Sequence, residues 1–145
     1  MLIDSHAHLD FDKLSSNIEN IINNAKENSI SSILSINTRL VNFENLYKLI
    51  KKYRSIWCSV GEHPCNISKN NIPTKKEILS YINEKVVGIG ETGIDLYYSS
   101  NNIQFQFESF KNHIDASLDS NLPLIIHLVI FNFNLNLLKI ILMPL

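Results

Sequence analysis

Two rhythms of apolar residues alternate along this chain. Short apolar runs occupy residues 2–8, 33–36, 56–60, 86–89 and 124–127, and each reads as a β-strand. Between them, apolar residues recur every three or four positions. Ile18, Ile21, Ile22 and Ala25 share one face of a helix over residues 16–27, and Phe43, Leu46, Tyr47, Ile50 and Tyr53 share another. Pro73-Thr74-Lys75-Lys76-Glu77 opens the next helix, with Thr74 as N-cap and Glu77 three residues on as a capping box. Ile103, Phe107, Phe110, Ile114 and Leu118 form the longest amphipathic face before the fifth strand. Repeated strand-then-helix units imply a parallel sheet with right-handed crossovers, an α/β fold.

Polar residues with ligand chemistry fall where these strands end. In Leu2-Ile3-Asp4-Ser5-His6-Ala7-His8-Leu9-Asp10, strand geometry turns His6 and His8 to one face, so two imidazoles face a single ion. In Val86-Val87-Gly88-Ile89-Gly90-Glu91-Thr92-Gly93-Ile94-Asp95, glycines on both sides of Glu91 let the backbone turn while the carboxylate projects over the sheet rim, and Asp95 can support a ligand from behind. Leu122-Pro123-Leu124-Ile125-Ile126-His127 delivers one more histidine, and His63 follows the third strand. Strand-end chemistry of this kind belongs to a (β/α) barrel. A doubly wound open sheet would instead need a glycine-rich phosphate turn after the first strand, which here ends in histidines.

Composition narrows the setting. A chain of 145 residues with a net charge of −1 and pI near 6.5 is one domain with no broad electrostatic grip on nucleic acid, so contact with DNA would be local and metal-assisted. Cys58 and Cys65 read as reduced thiols, and no secretory leader precedes the first motif, which together suggest a cytoplasmic protein. The tail from Leu128 is apolar, but Asn132, Asn134, Asn136, Lys139 and Pro144 interrupt it, whereas a spanning helix needs roughly 20 mostly apolar residues. No membrane role is expected.

Taken together, the three motifs resemble the TatD family of metal-dependent deoxyribonucleases, hydrolases built on a TIM-like barrel. Asp4-Ser5-His6-Ala7-His8-Leu9-Asp10 matches the opening motif of that family and Gly90-Glu91-Thr92-Gly93-Ile94-Asp95 its central one; Gly61-x-His63-Pro64, Gln106, Phe110 and residues 123–127 agree as well. The resemblance implies a two-metal phosphodiesterase acting on DNA, with no stable protein partner. His6 and His8 would hold one divalent cation, Glu91 would bridge two and be the catalytic carboxylate, His127 would bind the second, and His63 would touch the substrate phosphate. Imidazole and carboxylate ligands together suit Mg, Mn or Zn.

The likeness changes character after His127. Glu62 and Cys65 stand where the family has an aliphatic residue and a histidine, which costs no expected ligand. Val129, however, stands where it has arginine, and residues 128–145 contain no His, Asp or Glu. A full barrel takes about 250 residues, so the chain is expected to supply four βα units and a fifth strand. Residues 1–127 thus read as an incomplete barrel domain, and residues 128–145 as a non-homologous apolar tail of frameshifted or truncated origin. The expected product is an inactive or weakly active hydrolase. The alternatives are a non-catalytic metal-binding or interaction fragment and a related hydrolase acting on amide-type substrates.

Overall fold

The computed structural model describes residues 2–98 and 100–130. Strands β1 (Leu2–Ala7), β2 (Ile30–Ser35), β3 (Ile56–Val60), β4 (Val86–Asp95) and β5 (Leu124–Val129) pair in sequence order, all parallel. Helices α1 (Asp12–Ser15) and α2 (Ile18–Glu27) link β1 to β2, and α3 (Phe43–Ile50), α4 (Lys75–Ser80) and α5 (Ile103–Ser120) fill the later crossovers. The result is a partial (β/α) barrel, as the alternating pattern predicts.

Its core lies between the middle strands and the helices. Phe43, Leu46 and Ile50, one stripe of α3, are fully buried against Ile33, Ile56 and Val60, together with Ile22 of α2 and Ile78 of α4. Each such side chain contributes about 1.5–3 kcal/mol relative to exposure. Thr74 caps α4 as expected, its Oγ1 accepting the Glu77 N–H at 3.2 Å. The outer strands contrast with this core. Among the described residues β1 pairs only with β2 and β5 only with β4, and their apolar residues remain exposed: Leu2 60%, Ile3 64%, Ile126 53%, Leu128 48%. An arc that does not close on itself leaves such surface behind.

Three elements depart from the sequence reading. β4 does not stop at Ile89 but runs to Asp95, because Gly90 and Gly93 let it continue alongside β5, with Gly93 paired to His127 and Asp95 to Val129. Glu91 therefore stands inside a strand rather than at the turn after one. β5 likewise extends to Val129, so the first two residues of the expected tail complete a strand. The buried face of α5 is Gln106, Ser109, Phe110, His113 and Ala116, which shares only Phe110 with the apolar set and leaves Leu118 exposed. Gln106 and His113 take that face because they bond backbone groups of Asp95 and Glu62, as described below, while the buried Ser109 hydroxyl has no hydrogen-bond partner among the described residues. Residues 131–145, where an irregular tail is expected, lie outside the described residues. Among the described residues no helix is long and apolar enough to cross a membrane.

Candidate metal centre

β1 carries His6 and leads directly into His8, with ring centroids 5.1 Å apart and edge-on. His8 Nδ1 lies 3.1 Å from the Ile36 carbonyl oxygen, which can only accept; Nδ1 therefore holds the ring hydrogen and Nε2 keeps its lone pair for an ion. Glu91 comes from the middle of β4, with Oε2 3.7 Å from His6 Nε2. Ligand-type atoms of His6, His8 and Glu91 all fall within 4.8 Å of one another.

The approach of Glu91 depends on its neighbours lacking side chains. Gly90 and Gly93 have φ of +136° and +140°, a region that L side chains avoid. A Cβ on either would run into a backbone oxygen of β5, that of Ile125 or His127. A Cβ on Gly61, after β3, would stand 2.6 Å from Gly90 Cα. Three strands thus meet with backbone against backbone around Glu91. Its N–H donates to the Asn37 carbonyl at 3.1 Å, and the Gly90–Glu91 peptide is cis.

A second cluster shares the same carboxylate. Atoms of His63, Glu91 and His127 also lie within 4.8 Å of one another. His127 Nε2 is 2.9 Å from Asp95 Oδ2 and its Nδ1 is 3.3 Å from Glu91 Oε1. Burial alone would raise the Asp95 carboxyl, but bonds from the Tyr98 N–H, His127, Cys65 and the Tyr97 N–H outweigh it and hold the group below its ordinary value. Asp95 is therefore a carboxylate acceptor, Nε2 carries the hydrogen, and the Nδ1 lone pair faces Glu91 oxygen. Two acceptors facing each other at that distance require a positive species between them, either a second proton on the ring or a cation. A divalent cation fits this donor set.

His63 carries its hydrogen on the same nitrogen as His127 and on the opposite one from His8. Its Nδ1 accepts the Cys65 N–H at 3.2 Å, so Nε2 is the protonated nitrogen and donates rather than ligates. Burial, reinforced by the neighbouring His127 at a ring separation of 4.2 Å, lowers the His63 pKa and keeps the ring neutral near pH 7. His8, Phe11, Thr38, His63, Asn66 and Glu91 line a cavity of about 280 Å³ in front of the clusters. All five site residues read from the sequence therefore meet at one rim.

Further residues support these groups, among them Asn37 and His113, which the sequence motifs do not include, and Gln106, which they do. Asn37 is fully buried; besides holding Glu91 it donates from Nδ2 to Arg39 O at 2.9 Å, and its N–H donates to Ser59 Oγ at 3.1 Å. It follows β2 as Glu62 and His63 follow β3, so the strand-end rule could have found it. Gln106 clamps the end of β4, accepting from Asp95 N at 2.8 Å and donating to Asp95 O at 3.1 Å. His113 donates from Nδ1 to Ser109 O at 2.7 Å and accepts the Glu62 N–H on Nε2 at 3.1 Å. Burial pushes its pKa down to about 4. Hydrogen bonds to distant backbone leave no periodic trace in a sequence, which is why the α5 face was misassigned.

Comparison with known proteins places this geometry. The profile of the family described as TatD related DNase matches residues 3–141. The chain belongs to that family. It is 41% identical over 133 residues to an uncharacterized metal-dependent hydrolase of Buchnera aphidicola subsp. Baizongia pistaciae, covering 87% of this chain and 49% of the relative. It is 26% identical over 110 residues to the Escherichia coli K12 protein named 3'-5' ssDNA/RNA exonuclease TatD, covering 75% and 42%. Its fold is similar to the crystal structure of YjjV, a TatD homolog from Escherichia coli K12, with a TM-score of 0.77 at 26% identity, covering 87% of this chain and 50% of that one. The chain spans about half the length of the TatD-family relatives it matches.

Proposed function

We propose that the rim binds two divalent cations and that they serve hydrolysis of phosphodiester bonds in DNA. The observation that carries this reading is the position of Glu91, whose two oxygens face separate histidine clusters: Oε2 toward His6 and Oε1 toward His127. When bound, the cations polarise a phosphoryl oxygen and offset the charge that develops on hydrolysis. The side chains do the positioning. The Ile36 carbonyl orients His8, Asp95 orients His127, and His63 Nε2–H is free to donate to a phosphoryl oxygen in the cavity. A nucleic-acid substrate accords with the family description and with the relative named as an exonuclease. Mg, Mn and Zn all suit the donors.

Residues 1–127 carry every ligand in this scheme. Residues 128–145 add none, and Val129 offers no charge to a phosphate. The chain by itself should therefore bind metal while turning over little DNA. Calorimetric titration with Mn tests the binding: two ions in the parent, one in His6→Ala, and loss at both sites in Glu91→Gln. Binding that Glu91→Gln leaves untouched would refute the shared carboxylate. Release of nucleotides from single-stranded DNA tests the turnover, and a robust rate abolished by His6→Ala would refute the weak-activity expectation.

A further inference from the structure

The nuclease reading gives no task to the aromatic residue that lines the cavity. Phe11 immediately precedes α1, in the loop that leaves β1 beside the histidine pair. One face of its ring is stacked on His8, with centroids 4.9 Å apart and planes 12° from parallel. The residue is nevertheless 50% exposed and lines the cavity with His63, Asn66 and Glu91. The backbone fixes this placement: Phe11 N–H donates to His8 O at 3.2 Å, and Phe11 O accepts from Leu14 and Ser15 at 2.8 and 2.9 Å. Such a half-exposed phenyl ring costs water contact without contributing to the buried core, which does not include it.

We infer that Phe11 is the platform on which a nucleobase of a single-stranded substrate stacks, next to the phosphodiester to be cut. Every base has a π-face, so an aromatic platform tolerates any sequence, and a net charge of −1 supplies no overall electrostatic attraction for the strand. A base on Phe11 would lie one ring away from His8, and its phosphate would reach the His63 donor across the same cavity. The inference rests on the nuclease reading and adds how the site grips its substrate.

The test uses the full chain and a trinucleotide with 2-aminopurine, whose fluorescence is quenched by stacking, against the same trinucleotide with an abasic centre. Phe11→Leu keeps apolar bulk and removes the π-face; Phe11→Trp restores it. Phe11→Leu should weaken binding of the base-bearing ligand roughly tenfold and relieve the quench, with Phe11→Trp recovering both and the abasic ligand unaffected. Equal affinity for the base-bearing ligand in parent and Phe11→Leu, or an equal loss with the abasic one, overturns the inference. Mn titration of the parent is run alongside: absent Mn binding refutes the metal-hydrolase reading, whereas intact Mn binding with an unchanged Phe11→Leu refutes the stacking platform alone.

Discussion

Asp95→Asn is the sharpest probe of how the second cluster is built. Asp95 is fully buried, and its Oδ1 accepts the N–H groups of Tyr97 and Tyr98 at 2.9 and 2.8 Å. In the amide, the oxygen must stay on those two donors, because turning the NH₂ toward them would set donor against donor. The NH₂ then faces His127 Nε2, which must become the acceptor, and the ring hydrogen moves to Nδ1. There it bonds Glu91 Oε1, now 3.3 Å away, and takes the lone pair meant for a cation. Losing a supporting carboxylate of this kind typically lowers metal affinity about 10–100-fold, or roughly 1.4–2.7 kcal/mol. Folding stability should fall as well, by about 1–3 kcal/mol, since the bonds from Tyr97, Tyr98 and His127 change from charged to neutral and the Cys65 thiol, 3.5 Å from Oδ2, loses its carboxylate acceptor. Mn calorimetry reads the affinity, urea unfolding reads the stability, and ¹⁵N shifts of the imidazole read which nitrogen carries hydrogen. An Nε2–H tautomer that persists, or Mn affinity within about twofold of the parent, would refute the argument.

Two further outcomes follow from buried groups. His113 is neutral when folded and binds its proton only near pH 4, whereas the unfolded ring does so near pH 6.5, so stability is complete above about 6.5 and declines as pH falls toward 4. The decline amounts to about 3 kcal/mol at its limit, and His113→Gln should lose that part of the acid dependence; a parent-to-variant gap that is the same at pH 7 and pH 4.5 in urea unfolding would count against it. Gly93→Ala combines a φ of +140° with a collision on the His127 backbone oxygen, and should cost on the order of 3 kcal/mol or more and separate β4 from β5. Denaturation at unchanged midpoint would show that the strands can part without penalty.

The sequence revealed what repeats and missed what reaches across. All five strands were visible because each contains a short cluster of apolar residues set between helical patterns, and α3 because Phe43, Leu46 and Ile50 keep strict helical spacing. His6, His8, His63, Glu91 and His127 were visible because each is a ligand-type residue that follows or closes an apolar run, although Glu91 stands inside β4 and not at its end. The far end of β4 was not, since Gly90-Glu91-Thr92-Gly93 has the composition of a turn and becomes strand only because the β5 backbone lies too close for a Cβ. Likewise His113 looks like a solvated helix position until its partner, the Glu62 N–H, is known, and Gln106, though it fits the family pattern, shows its task only in its bonds to Asp95. The tautomers that separate ligand from donor, at His8, His63 and His127, depend on single backbone or carboxylate contacts that no spacing encodes.

The strand order has a kinetic meaning. Among the described residues each strand from β2 to β5 pairs with the one that precedes it in sequence, so none of these pairings skips a strand. Each parallel pairing still closes over one crossover, yet a chain emerging from the ribosome can add each new strand to an edge already in place. The ion-binding groups would then arrive in a fixed succession: the histidine pair with the first strand, the shared carboxylate with the fourth, and His127 last. One half of the centre is assembled while the other is still being synthesised.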